Sequence, residues 1–255
     1  MQIGITERGD ASIDYSWTDA LINKTVDGAI LITKNITPKF INTVLDIYKK
    51  HNNKIIVHCT CTGWGSSYLE PNVPDYMIQL NNLYELINKG FLKQNCVLRI
   101  DPIIPTAEGI IKMKNVINTA YTMGLLPNLR TRISIYDEYY HVRDRLKQIN
   151  KTSFYNNSFT ASRDMINNLI VELSNYHLEF ETCAENILTT QSKQFKMTGC
   201  VSVKDINIMG LPIPKSLSEN GQNRTGCHCL KCKTELLSNK KQCPNKCIYC
   251  YWKNK

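Results

Sequence analysis

Six of the eleven cysteines lie between Cys227 and Cys250: Cys227, Cys229, Cys232, Cys243, Cys247 and Cys250. The chain starts without the basic segment and apolar stretch of a secretory signal, so thiols bunched this closely are expected to ligate metal rather than pair as disulfides. Two ligand sets compete. Cys229-x2-Cys232 followed by Cys247-x2-Cys250 has the two-knuckle spacing of a single tetrahedral zinc, and strands Cys227 and Cys243. Cys243-x3-Cys247-x2-Cys250 instead offers three thiolates to three irons of a [4Fe–4S] cluster, with the fourth iron left for an exchangeable ligand or a remote cysteine. The second spacing favours iron, with zinc as the alternative. Cys183 and Cys200, expected near strand ends, are candidates for a second centre with Cys227, Cys229 and Cys232. Cys59 reads as a core thiol, whereas Cys61, beside a glycine loop, stays open.

These thiols need a frame. Short runs rich in β-branched residues recur at Gln2–Thr6, Gly28–Thr33, Lys54–Thr60, Cys96–Asp101, Arg130–Tyr136, His177–Cys183 and Cys200–Val203. Helical periodicity fills the gaps. Thr37-Pro38 is an N-cap followed by proline at the first helical position. Asp75 caps a segment that stops at Gly90; a further stripe ends at Gly124, and another spans Arg163–Asn175. Strand–helix alternation at this spacing predicts an α/β protein with a parallel sheet, as a full or partial (βα) barrel of six or seven units over residues 1–210. A linker (211–226) then leads into a cysteine-rich metal-binding tail (227–255). No Gly-rich dinucleotide fingerprint follows the first strand.

Alternation along the strands says what the barrel holds. Helices cover the outer face, so charged strand residues have to face inward or sit at a strand end. Arg99, Asp101, Arg132, Glu179 and Glu181 are therefore predicted in the lumen as candidate catalytic residues, where a purely structural barrel would carry Val, Ile and Leu. Unpaired charges there would be costly, which predicts either mutual pairing or a pocket for a small polar substrate. Two loops join them at the strand ends: Thr6–Asp10, with Arg8 and Asp10, and Thr60–Gly65, where Gly63 and Gly65 would let a ligand approach the backbone.

Charge is uneven. The net charge is +9, and from Gly221 onward eight Lys/Arg face one acid, Glu235, so most of the excess lies in the tail. Such a surface suits nucleic acid, or it balances thiolates. No apolar run is long enough for a membrane span, so a cytoplasmic protein is expected.

Several segments together, and none singly, resemble a known family: Ile32-Thr33-Lys34-Asn35, Gly63 through Leu69-Glu70-Pro71, Arg99-Ile100-Asp101-Pro102-Ile103, Ile133-Ser134, Thr182-Cys183-Ala184-Glu185, Cys227-His228-Cys229 and the Cys243–Cys250 motif. The chain looks like a member of an uncharacterised, mainly bacterial family whose C-terminal cysteines are similar to the N-terminal cluster of radical S-adenosylmethionine (SAM) enzymes, with relatives labelled DNA-repair-photolyase-like. The resemblance implies a partial α/β barrel carrying an iron–sulfur cluster. Tyr249 then stands where radical-SAM enzymes commonly place an aromatic. SAM becomes a candidate cofactor, with Arg8, Asp10, Gly63, Gly65 and Tyr249 as cofactor contacts. A redox role implies a reductant such as ferredoxin or flavodoxin. Two departures stand out: the triplet sits at the C-terminus, where it would form a lid over the barrel, and the Gly-Gly-Glu element that grips SAM is missing. The expected function is that of a radical-SAM-like or other redox enzyme; the rival is a zinc-bearing module that contacts nucleic acid.

Overall fold

A computed structural model describes residues 1–213, 218, 219, 221, 226–238 and 243–252. Among the described residues, eight strands form one sheet: β1 (Ile3–Ile5), β2 (Gly28–Thr33), β3 (Ile55–Thr60), β4 (Cys96–Ile103), β5 (Arg130–Ile135), β6 (Phe180–Thr182), β7 (Phe195–Met197) and β8 (Lys233–Glu235). Their order is β7-β6-β5-β4-β3-β2-β1-β8, and every neighbouring pair is parallel. The helices between strands are α1 (Trp17–Ile22), α2 (Pro38–Lys50), α3 (Tyr76–Asn88), α4 (Ala107–Thr122), α5 (Tyr140–Gln148), α6 (Arg163–Ser174) and α7 (Asn186–Gln191), with α8 (Val203–Ile208) after β7.

Local chemistry sets the helix starts. Thr37 Oγ1 accepts from Phe40 N with Pro38 at the first position, Asp75 accepts from Met77 N, and Thr106 and Ser162 cap α4 and α6. Each bond satisfies an amide that the helix leaves unpaired. Apolar helix faces such as Phe40, Ile41 and Val44 on α2 then cover the outer side of the sheet, against Leu31, Val57, Leu98 and Ile133.

The inner face has its own core. Ile3, Ile5, Ile30, Ile56 and Val97 meet Val201, Ile206, Met209, Leu211 and Leu230, which come from α8 and the segments around it. The two edges of the sheet are brought together at the same place: Leu230 N, before β8, donates to Val201 O, after β7 (3.0 Å). The sheet is therefore curled, and its seam is closed by residues 199–201 against 228–230.

One expectation is corrected. The strand after β6 is Phe195–Met197, not Cys200–Val203, because Ser202 and Asp205 form a capping box that starts α8 there. Residues 1–210 supply seven strands, β1–β7, in line with the expected six or seven units. The eighth comes from the cysteine-rich segment itself, which pairs with β1 through Ile3↔Lys233 and Ile5↔Glu235. No helix among the described residues is long and apolar enough to cross a membrane.

Candidate functional site

The inner face of β3–β6 carries a row of polar residues in register: Thr60 beside Arg99, Arg99 beside Arg132, Arg132 beside Glu181. Period-two alternation put Arg99, Asp101, Arg132 and Glu181 here, and the structure agrees. Glu181 is the hub. It accepts from Arg132 Nη2 (2.7 Å) and from Arg130 Nε and Nη2 (2.9 and 3.1 Å), and pairs with Lys204 Nζ (2.8 Å). Burial alone would raise its pKa, but Arg132 and Arg130 hold the carboxyl down at about 2. Asp101 accepts from Arg99 and from Ser134 Oγ.

Glu179 is a correction. The strand begins only at Phe180, and the Glu179 side chain is 55% exposed, 4.0 Å from Lys196 Nζ. It lines a shallow outer hollow with Lys193 and Lys196 rather than the inner face. Three further inner residues stand outside the candidate set, although strand alternation already pairs His58 with Thr60. His58 lies in the row's neighbourhood, Arg130 opens β5, and Asp205 arrives on α8, where its Oδ1 accepts from Arg130 Nη2 (2.9 Å). The polar parity of His58 with Thr60 was a usable signal; nothing in the local pattern marks Asp205.

His58 is fully buried, and burial together with Arg132, Arg99 and Arg130 pushes its pKa well below the usual value, so the ring is neutral. Among the described residues neither of its ring nitrogens has a hydrogen-bond partner, nor do Thr60 Oγ1, Arg99 Nε or Arg132 Nε and Nη1. The row thus keeps polar capacity beyond its own ion pairs.

The segment 243–252 lies across the loops that follow the strands. Asn245 Nδ2 donates to Asp10 Oδ2 (2.7 Å), Asn72 Nδ2 to Pro244 O (2.7 Å), and Ile248 N to Leu69 O (2.9 Å). Arg145 donates to the carbonyls of Ile248, Cys250 and Trp252. Tyr249 OH donates to Glu70 Oε1, and Lys34 Nζ binds both that oxygen and the phenol (2.7 Å each). Burial, Glu70 and Cys247 push the Tyr249 pKa well up, so it stays a phenol. Burial works against the Lys34 ammonium, but Glu70 and Cys247 more than offset it.

The predicted cofactor contacts thus have other partners. Asp10 also binds Ser12, Thr33 Oγ1 and Lys34 N, a hub fastening two loops to Asn245. Arg8 stands over the Trp252 ring at 5.3 Å. Gly63 and Gly65 both stand where another backbone segment passes close by. A Cβ at Gly63, whose φ is +83, would lie 2.6 Å from Lys112 O, and one at Gly65 would lie 1.9 Å from Pro74 O. Gly65→Ala is accordingly expected to destabilise the fold by about 1–3 kcal/mol. Thermal unfolding indistinguishable from the parent chain would refute that packing role.

None of the eleven cysteines is in a disulfide. Cys59, Cys61 and Cys96 are core thiols on the outer side of the sheet, each pushed up by burial, Cys59 to about 12. Neither the zinc-ribbon set Cys229, Cys232, Cys247 and Cys250 nor the triplet Cys243, Cys247 and Cys250 brings its sulfurs within 4.8 Å of one another. Among the described residues, the set of ligand atoms that all lie within 4.8 Å of one another is Cys183, Cys200 and Cys229. The segment between Cys229 and Cys232 is fastened on both sides: Leu230 N donates to Val201 O, after β7, and Cys232 O accepts from Ile3 N of β1 (2.7 Å). Cys227 and Cys232 stay outside the triad. Cys183 and Cys229 both hydrogen-bond toward Cys200, and with Arg99 and Arg132 they lower its pKa well below the usual value. Of the tail's basic residues, Arg224, Lys240, Lys241, Lys253 and Lys255 lie outside the described residues, as does part of the 211–226 linker. Lys233 is paired with Glu7 (2.8 Å).

Strand order and site together define an α/β protein with one curled, eight-stranded parallel sheet, a charged inner face and a thiol-rich C-terminal segment folded onto it. The chain belongs to the family described as a domain of unknown function, DUF1848, which matches residues 15–252. No curated protein matches it. A crystal structure of 3-hexulose-6-phosphate synthase is similar over 82% of this chain and 97% of that one, at 10% identity and a TM-score of 0.29. At that level of likeness the strand order above, not the neighbour, describes the fold.

Proposed function

We propose that the protein is an iron–sulfur redox enzyme, radical-SAM-like in type, built on a (βα) barrel. Cys243, Cys247 and Cys250 hold the cluster, and a small polar substrate binds against Arg99, Asp101 and Arg132. The observation that carries this reading is the anchoring of residues 243–252 across the strand-end loops by Asn245, Ile248, Tyr249 and Arg145. A flexible finger would not need four such attachments.

The donor set fits the group. The three thiols share one fastened segment, none is consumed by a disulfide, and the Lys34 cation lies close enough to Cys247 to feel its charge. A positive neighbour favours the thiolate that metal ligation requires. When bound, a [4Fe–4S] cluster supplies one-electron transfer, with the electron drawn from a reductant such as ferredoxin or flavodoxin. The chain's own residues do the rest. The buried donors of His58, Arg99 and Arg132 that have no partner among the described residues are the groups that would receive an anionic or polar substrate. Asp101, bonded to Arg99 and Ser134, holds that arginine in place. Tyr249, Glu70 and Lys34 keep the lid seated and exclude water beneath it.

Anaerobic reconstitution with iron and sulfide tests the reading. The expected product is a brown chromophore that dithionite bleaches and that Cys247→Ala removes. A colourless protein without iron under those conditions would sink it. Cleavage of SAM by the reduced protein then separates radical chemistry from other redox work.

A further inference from the structure

We infer that Cys183, Cys200 and Cys229 form a second metal site, which binds a single soft divalent ion of the zinc class at the seam of the curled sheet. The site is distinct in place and ligands from the Cys243–Cys250 segment, and it stands whether or not that segment carries iron.

Spacing is the first argument. The Cys183 and Cys200 sulfurs are 3.8 Å apart, and all three sulfurs lie within 4.8 Å of one another. Two thiolates each about 2.3 Å from a tetrahedral ion stand about 3.8 Å apart. A cubane cluster places each cysteine on a different iron and so spreads its sulfurs more widely. The observed triangle suits one ion.

Construction is the second argument. The three cysteines come from separate parts of the chain: Cys183 just after β6, Cys200 just after β7, and Cys229 from the segment leading to β8. Gly199 is what lets the last two meet. A Cβ there would lie 2.4 Å from His228 O and 2.6 Å from Cys229 Cα, both backbone atoms that cannot swing away. With only hydrogen in that place, Cys200 N–H reaches Cys229 Sγ at 3.1 Å. A backbone amide aimed at sulfur is the partner a thiolate needs, and orienting bonds of this kind fix a ligand for its metal. A merely buried set of thiols would need neither the glycine nor the amide.

Charge is the third. Three thiolates on a divalent ion leave a net negative site, and Cys200 packs on the inner-face core, the face that carries the paired Arg99 and Arg132. Soft thiolate ligands select zinc over magnesium or calcium. Three protein ligands also leave one tetrahedral position for solvent or substrate.

The test uses the full chain, purified under reducing conditions, stripped with a chelator and reloaded with Zn²⁺ or Co²⁺ alone. The expectation is about one tightly held Zn²⁺ per chain, with the visible d–d bands of tetrahedral thiolate cobalt in the Co²⁺ form. Cys229→Ser is expected to abolish the bands, whereas Cys247→Ala leaves them intact and so separates this site from the proposed iron site. Gly199→Ala should weaken zinc binding roughly 10–100-fold by displacing Cys229. Should the Cys229 variant fail to fold, alkylation mapping of the wild-type chain decides: zinc must protect Cys183, Cys200 and Cys229 together, and chelation must expose them. Failure of the wild-type chain to retain zinc, bands that survive Cys229→Ser, or protection of Cys243, Cys247 and Cys250 in place of the triad would each overturn the inference.

Discussion

Glu181→Ala is expected to destabilise the protein by about 3–5 kcal/mol, the range for removing one partner of a buried ion pair. The side chain is 4% exposed and accepts from Arg130 and Arg132 at once, while Arg132 itself is 1% exposed. Without the carboxylate, the hydrogen bond from Arg132 Nη2 has no acceptor, and its guanidinium remains in a dry interior. Urea unfolding at neutral pH measures the loss. In an Arg132→Met background the same substitution should cost much less, since the stranded charge is gone. Equal losses in both backgrounds would refute the pairing argument. A pH dependence follows with a definite sign. Glu181 is held at about 2 against an ordinary 4.5, so its contribution is fully present above the ordinary value and is lost as pH falls through the lower one. That difference corresponds to roughly 3 kcal/mol, withdrawn between about pH 4.5 and pH 2. Glu181→Gln should flatten the acid limb in that window.

Glu70→Ala is expected to have the next largest effect, and a local one. Glu70 is fully buried and accepts from Lys34 and from Tyr249, which ties residues 243–252 to the loop after β3. Its removal leaves the Lys34 ammonium, 16% exposed, without a carboxylate, at a cost of about 3 kcal/mol. It also deprives the Tyr249 hydroxyl of its acceptor. Tyr249→Phe alone should cost about 1 kcal/mol, because Lys34 keeps Glu70. Hydrogen exchange over 243–252 is the direct readout. Glu70→Ala should speed it well beyond any change in β2–β5, and trypsin should then cut after Lys246. Exchange that rises evenly through the sheet, or not at all, would show that Glu70 serves the fold in general and not the lid.

Much of the frame was legible in the sequence. Helix starts at Thr37-Pro38 and Asp75 were readable because capping is a short-range bond between neighbours, and the inward set of Arg99, Asp101, Arg132 and Glu181 because strand parity is fixed by the backbone. The short strands were harder. Phe195–Met197 is three residues long, too brief for alternation to stand out, and His177–Cys183 shrank to Phe180–Thr182, which carried Glu179 out to solvent.

The opening cysteines divide along the same line. Residue types and spacing alone determined that the chain carries a dense C-terminal set of thiols and that the inner strand face is charged. Which thiols meet was decided only by the tertiary structure. Cys229 and Cys232, three positions apart in a knuckle spacing, lie on a segment bonded to both edges of the seam, while Cys183, Cys200 and Cys229 converge from distant segments. Asp10, Gly63 and Gly65 likewise have protein neighbours that no local spacing announces. Spacing reports which ligands a single segment can offer. A curled parallel sheet joins edges that are far apart in the chain, and no local spacing encodes that junction.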